Sequence, residues 1–449
     1  LNNLFTGNFM YNYLNTQVSL EWGWELAGPL LFGVILFAFG VPIWAVLGTI
    51  SVSILHFSGV LPLSLLGEAL FDGIDAFALI AIPLFILTGD VLVRTGLSRK
   101  LLNIAEALTG GVRSGFGTAT VLVCGFFACI SGSDAAGAAG VGRMTIDRLV
   151  EQGYPKPYAC ALVAAGACTG ILIPPSIAYI IIGLVLGISA STLFLAALIP
   201  GLMVMFVIML CNIILNRINR FENAEAGFSR SRIMHALIDG RYALIVPVVI
   251  LGGIYSGVFT PTEAAAVAVI TTIIIGLAQG TIKLQDFPKM LSSSAKVNGV
   301  ILPIIAFSLP LAQALAALDV PQGFVYMITE ITQEPSYIIL LMIGILILAG
   351  CVMETTPNIV ILSPIMLPLA QEIGMPDIQF CIMMITALGV GFITPPLGLN
   401  LFVVSSISGT SVLKIAGFAV PFVLAMLSIV LLLAFVPELS MWAIPDYAR

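Results

Sequence analysis

The chain has 449 residues, of which 59% are apolar and only 9% charged, and its formal net charge is −6. That balance excludes an ordinary soluble domain, in which roughly a quarter of the residues are charged, and a nucleic-acid binder, which carries a basic footprint. The solvent for most of the surface is lipid, and at about 20 apolar residues per crossing the length leaves room for roughly ten to twelve spans in one membrane domain.

Residues 1–25 read as an N-terminal tail, polar and aromatic, without the basic n-region or small-residue cleavage site of a signal peptide. Two halves follow, 26–216 and 243–437, joined by a basic linker over 217–242 and closed by a tail over 438–449. The halves are recognised by Gly170-Ile-Leu-Ile-Pro174-Pro175-Ser176, which returns 221 residues later as Gly391-Phe-Ile-Thr-Pro395-Pro396-Leu397. Ala197-Leu-Ile-Pro200-Gly against Phe418-Ala-Val-Pro421-Phe keeps the same offset. Each half is predicted to run as a helix pair divided at Pro42 or Pro261, a span near 76–93 or 298–316, a re-entrant hairpin, a helix broken at Pro-Pro, and a last span. One long tilted helix through Pro42 is the alternative for the first pair. The hairpin tips fall near 131–134 and 353–358. The fold class is thus an all-α polytopic membrane protein, and five crossings per half make the second half upside down relative to the first.

Charge agrees with inversion, since cytoplasmic loops are rich in Lys and Arg. Arg94, Arg99, Lys100 and Arg113, then Arg143, Arg148 and Lys156, then Arg217 to Arg241, then Lys283, Lys289 and Lys296, and finally Lys414 all fall on loops placed inside. From Val297 to Leu413 no Lys or Arg occurs, and the loops carry Asp319, Glu330, Glu334, Glu372 and Asp377, as an outward face should. Both termini then face the periplasm, with the first hairpin entering from the cytoplasm.

Chemistry concentrates at the tips and breaks. Ser131-Gly132-Ser133-Asp134 is polar inside apolar sequence, and Met353-Glu354-Thr355-Thr356-Pro357-Asn358 is its counterpart. Non-helical backbone at membrane depth is tolerated only where protein or a water-filled cavity satisfies it. Prolines remove donors and free upstream carbonyls, which suit a hard cation, while half-helix N-termini aim positive dipole ends at an anion. Because Pro157 to Asn216 also lacks Lys and Arg, an anionic substrate at the midplane is expected to lean on dipoles, hydroxyls and bound cations more than on an arginine clamp. Taken singly, Ser-Gly-Ser is a helix-packing element and Pro-Pro a kink; their paired recurrence points to a site. Glu354 in an apolar setting is a functional carboxylate by default. Glu68, Asp72 and Asp75 read as an interfacial helix face, and Thr260-Pro261-Thr-Glu263 as a capping box. Seven cysteines (Cys124, Cys129, Cys160, Cys168, Cys211, Cys351 and Cys381) lie in apolar stretches without CxxC spacing and read as packing residues, and the unpartnered His56 and His235 signal no metal site.

Ile130-SGSDAAGAAGVG-Arg143, Gly170-ILIPPSI-Ala178, Gly257-VFTPTEAAAVAV-Ile270, Val352-METTPNIVILSPIMLP-Leu369 and Gly391-FITPPLGLNLF-Val403 together resemble the large M subunit of TRAP (tripartite ATP-independent periplasmic) transporters, from about Leu30 onward. The resemblance implies an ion-transporter-superfamily fold, a sodium-coupled elevator in the bacterial inner membrane, and no enzyme activity. It also implies two partners, a small four-helix membrane subunit of the Q type and a periplasmic substrate-binding protein of the P type. Its cargo would be an organic anion such as a sialic acid, a sugar acid or a C4-dicarboxylate. Carried over residue by residue, one Na+ would meet Ala128, Ser131, Ser133, Gly170, Ile173 and Pro175, and a second Gly350, Gly391, Thr394 and Leu397. Substrate would meet Ser133, Ser176 and Glu354, which stands where related proteins often have Asp. A stand-alone sodium/carboxylate symporter of the same superfamily is the alternative. An intramembrane hydrolase built on Ser131 and Asp134 lacks a His or Lys base in the surrounding sequence.

Overall fold

The computed structural model describes residues 23–110, 114–222, 229–396 and 398–444, and all the regular structure among them is helical. Helix α1 (Trp24–Ala38) ends before Gly40, whose φ of +80° turns the chain, and Pro42 then caps α2 (Ile43–Ser58). The chain therefore divides at Pro42, and no single long helix runs through it. Short α3 (Ser64–Ile74) carries Glu68 and Asp72 on an exposed face. A 3-10 turn leads into α4 (Ala81–Arg94), which is followed by the amphipathic α5 (Leu97–Thr109). Helices α6 (Gly115–Ser131) and α7 (Asp134–Glu151) form the first hairpin.

Next come α8 (Lys156–Ala167), the single turn α9 (Thr169–Leu172) and, beyond the prolines and a 43° bend, α10 (Ile177–Leu186). Long α11 (Ala190–Asn219) closes the first half. After the linker, α12 (Arg230–Asp239) meets α13 (Arg241–Tyr255) at 72°. Helix α14 (Pro261–Ala278) opens with the full capping box: the Thr260 N–H donates to Glu263 at 2.8 Å, and the Glu263 N–H donates to the Thr260 hydroxyl at 3.3 Å.

Helices α15 (Phe287–Ala317) and α16 (Val320–Ile331) precede the second hairpin, α17 (Pro335–Val352) and α18 (Thr355–Glu372). The second broken helix is α19 (Asp377–Gly391) with α20 (Leu399–Ser408), and α21 (Val412–Phe435) and the turn α22 (Glu438–Met441) end the chain.

Burial divides these helices. Small residues let α8 pack on all sides, and every residue of Tyr158–Ala167 is buried, as is every residue of α19 from Ile378 to Gly391. The outer helices keep apolar side chains on the surface, such as Val34, Phe206, Val248 and Leu424, where lipid can solvate them. A second, separate apolar core joins α1 and α2 to α15 through Leu47, Ile50, Ile54, Leu311 and Leu315. Among the described residues six helices are long and apolar enough to cross a bilayer, or eight if each bent pair counts as one span. That is fewer than length alone allows, because five apolar helices are only 10–17 residues long, among them the hairpin arm α6 and the half-helices α19 and α20.

Candidate functional site

At the first tip, α6 ends on Gly132 in the left-handed conformation (φ +62°), and Ser133 caps α7 by accepting from the Ala136 N–H at 3.4 Å. The tip docks on the first break by backbone: the Ile177 N–H donates to the Gly132 carbonyl at 3.2 Å. A side chain at Gly132 would meet the Pro175 carbonyl oxygen at 2.9 Å, and one at Gly170 would meet the Ser133 backbone at 2.7 Å. Ala128, Ser131, Ser133, Gly170 and Pro175 thus gather in one knot of backbone where the tip meets the break. The Ala128 carbonyl accepts from the Gly132 N–H at 3.1 Å, and the Ser131 hydroxyl lies 3.5 Å from both the N–H and the carbonyl oxygen of Ser133. Ile173 sends its side chain away from this knot, toward Gly201 of α11 and Gly125 of α6.

The second half repeats the docking. The Gly398 N–H donates to the Cys351 carbonyl at 3.1 Å, and Gly350 and Gly391 pack backbone on backbone, each forbidding a side chain on the other. Pro174–Pro175 and Pro395–Pro396 are both cis. Thr394 donates its hydroxyl to the Val390 carbonyl at 2.7 Å. Leu397 lies outside the described residues. The tip is tighter than the motif suggests, Met353 and Glu354 only, because Thr355 to Asn358 already form the first turn of α18. From that turn the Asn358 amide donates to the carbonyls of Met353 at 3.0 Å and Ala349 at 3.3 Å, satisfying the end of α17. The two breaks differ in exposure: Pro174, Pro175 and Ser176 are buried, whereas Pro395 and Pro396 are exposed.

Between the first hairpin and a wall made by α4 and α15 lies a cavity of about 370 Å³. Ser131, Ser133 and Glu354 line it together with Asp90, Ser293, Ser294, Ile301 and Arg143. Two of the three substrate-contact candidates, Ser133 and Glu354, are therefore brought together. Ser176 is not among them: it is fully buried and donates to the Ile171 carbonyl at 2.8 Å, which satisfies a carbonyl freed by the break. An arginine is present after all, since Arg143 stands nine residues beyond Asp134, roughly 14 Å along α7. Being exposed, it supplies positive charge at one end of the cavity rather than a clamp at the tip. Asp90 is held by Arg94 one helical turn on, at 2.8 Å.

A polar contact between the halves escaped the motifs. Asp134, at the start of α7, is buried beside the Asn400 side chain of α20 and within electrostatic reach of Glu354. Asn400 donates to the Ala164 carbonyl at 3.4 Å, and the Cys168 thiol donates to the Gly389 carbonyl at 3.2 Å. One Asp134 oxygen and the Asn400 amide oxygen find no hydrogen-bond partner among the described residues. The signal was an Asn inside the apolar run after Pro396; its partner 266 residues away could not be read from it.

With this geometry in place, similarity to known proteins is informative. The family model for the tripartite ATP-independent periplasmic transporter, DctM component, matches residues 30–439. The chain is 35% identical over 379 residues to the C4-dicarboxylate TRAP transporter large permease protein DctM of Pseudomonas aeruginosa, covering 84% of this chain and 88% of that one. It is 33% identical over 417 residues to the isethionate TRAP transporter permease protein DctMQ of Oleidesulfovibrio alaskensis, covering 92% of this chain and 66% of that relative's length. In fold it is similar to the Alcanivorax borkumensis YdaH transporter, with a TM-score of 0.61 at 14% identity over 84% of this chain and 89% of that one. The chain belongs to the DctM family, the large permease component of the tripartite ATP-independent periplasmic transporters.

Proposed function

We propose that the chain is the sodium-coupled membrane subunit of an importer for a small organic anion, working in the bacterial inner membrane beside a small four-helix membrane subunit and fed by a periplasmic binding protein. The observation that carries this reading is the cavity in which Ser131, Ser133 and Glu354 meet, walled on one side by the first hairpin and on the other by α4 and α15. The similar proteins named for isethionate and C4-dicarboxylate favour an acidic cargo. In this reading one Na+ is held by the backbone and hydroxyl oxygens around Ala128, Ser131, Ser133, Gly170, Ile173 and Pro175, and another by those of Gly350, Gly391, Thr394 and Leu397. Neutral oxygens in small cradles suit a hard monovalent cation, and the cation's charge in turn favours an anion beside it.

The reading continues with an elevator in two inverted repeats: both hairpins and both broken helices move as one body against α1–α4 and α13–α16. Two features support it. The apolar core that joins α1 and α2 to α15 is separate from the main one, in which α4, α13 and α14 pack with both hairpins. Where α4 passes the tip, Gly89 leaves only small atoms in contact, since a Cβ there would lie 3.1 Å from the Cβ of Ser131. The test is uptake by proteoliposomes holding this subunit and its small partner. Uptake of an organic anion is expected only with an inward sodium gradient and the cognate binding protein. Equal uptake with potassium in place of sodium, or driven by ATP alone, overturns the reading, and sodium-driven uptake without the binding protein favours a stand-alone symporter.

A further inference from the structure

The linker helix α12 is buried at none of its ten residues and does not line the transport cavity. It meets α13 at 72°. Helix α13 is apolar throughout after Arg241 and Tyr242, and its neighbour in the fold is the spanning helix α14. A spanning helix tilts about 20° from the bilayer normal, so a helix at 72° to it runs close to the membrane plane. Helix α12 cannot lie within the hydrocarbon, since its ten residues include Arg230, Arg232 and Asp239. Its depth is set at the junction. The Arg241 guanidinium sits over the Tyr242 ring at 4.6 Å and donates to the Ile238 carbonyl at 3.1 Å, and tyrosine with arginine at the end of a spanning helix marks the headgroup level.

One edge of α12, with Ile233, Ala236 and Leu237, is half-buried as the helix packs on α5. At the turn Gly240 presses so near Ile104 of α5 that a Cβ would meet its side chain at 2.5 Å. A second edge, Met234 at 59% exposure and Ile238 at 52%, is open among the described residues, while His235 and Asp239 stand about 100° further round the helix. Exposed charge near this edge is basic. Arg230, one turn before Met234, and Arg241, three residues after Ile238, are exposed, and Asp239 is paired with Lys100. An apolar edge at headgroup depth rimmed by arginines matches an anionic phospholipid: acyl chains meet Met234 and Ile238, and phosphates meet the guanidinium groups.

We infer that α12 is a membrane-surface helix that binds anionic phospholipid headgroups, on the cytoplasmic leaflet if the positive-inside orientation holds, and through α5 anchors the base of the first hairpin to that leaflet. The test uses the full chain with its native cysteines replaced, in vesicles of phosphatidylcholine with or without phosphatidylglycerol. Spin labels on Met234→Cys and Ile238→Cys should collide with oxygen more than with a water-soluble nickel chelate, and a label on His235→Cys should do the reverse. Quenching of a fluorophore at Ile238→Cys by brominated lipids should show a preference for phosphatidylglycerol, weakened roughly fivefold by each of Arg230→Gln and Arg241→Gln. Chelate access at 234 and 238 equal to that at 235 overturns the inference, as does equal quenching by both brominated lipids. Labels screened from both probes would mean that protein, a second copy or the small subunit, covers the edge instead, which also overturns it. None of these readouts depends on transport, so the outcome is separate from that of the uptake assay.

Discussion

Gly170 stands so close to Ser133 that a Cβ on it would lie 2.7 Å from both the carbon and the oxygen of the Ser133 carbonyl. Neither is the movable end of a flexible side chain, so the first hairpin tip has no way to make room except by leaving the break. Gly170→Ala is therefore expected to cost about 1–3 kcal/mol of stability and to abolish sodium-dependent thermal stabilisation. Gly391→Ala should behave alike, its Cβ falling 2.7 Å from the Gly350 Cα. Gly344 in α17 has nothing within 4 Å of its Cβ position, so Gly344→Ala should be neutral or stabilise by up to about 1 kcal/mol. Melting curves of the purified variants with and without sodium check all three, and an unchanged sodium response in Gly170→Ala would mean that this contact is packing alone.

The buried carboxylate of Glu222 ties the start of the linker to the base of the first hairpin. It accepts from the Tyr154 hydroxyl at 2.7 Å and from the N–H groups of Phe116 at 2.9 Å and Gly117 at 3.5 Å, while Asn216 holds its own N–H at 2.9 Å. Tyr154→Phe should cost about 1.5–3 kcal/mol, as one charge-assisted bond does, and Glu222→Ala more, because several buried donors lose their acceptor at about 1–3 kcal/mol each. Burial, and then the neighbouring Glu222, push the Tyr154 phenol well above the ordinary tyrosine range. The native state thus holds this proton more tightly than the unfolded chain does. Its contribution is whole below the unfolded value of about 10 and is lost as pH climbs past it. Stability followed through that alkaline range should fall less steeply in Tyr154→Phe than in the parent.

What could be read from the sequence was what the backbone itself demands. The Pro-Pro pairs, Gly170 and Gly391, and the Thr260 box act on residues within a few positions, so the breaks and the places of the tips were legible, while sequence alone leaves the division at Pro42 open against one long helix. Ser176, expected to meet substrate, shows why a side chain's use is harder to read: a hydroxyl beside a break has two uses, and in this structure the Ile171 carbonyl takes it. Arg143 was passed over because a loop arginine and an arginine at one end of a cavity look the same until α4 and α15 close the wall. Asp134 with Asn400, and α5 with α12, depend on contacts between distant segments for which one sequence holds no signal.

Inversion is open to a direct check. The stretch from Val297 to Leu413 has no Lys or Arg, while Arg217 to Arg241 is basic, so the positive-inside rule sets Asp319 and Arg230 on opposite sides. Single cysteines beside each, in a cysteine-free background in right-side-out vesicles, should react with a membrane-impermeant maleimide at the Asp319 position only. Labelling at both positions would overturn the repeat assignment.

The sharpest prediction concerns Thr394, three residues after Gly391 and directly before Pro395. Its hydroxyl proton goes to the Val390 carbonyl at 2.7 Å, the ordinary role of a helical Thr. That bond leaves the oxygen's lone pairs free, and they lie at the end of a helix where prolines have removed the next donors. Thr394→Val keeps the shape and removes one oxygen. If that oxygen helps to hold sodium, the loss of a contact worth about 1.5–3 kcal/mol weakens the apparent sodium affinity roughly ten- to hundred-fold. Stability without sodium should barely change, because the Val390 carbonyl still accepts from the Ile393 N–H at 3.3 Å. Uptake measured against sodium concentration separates the two roles: a raised half-saturating concentration makes Thr394 a ligand, and an unchanged one makes it packing and moves the second sodium elsewhere.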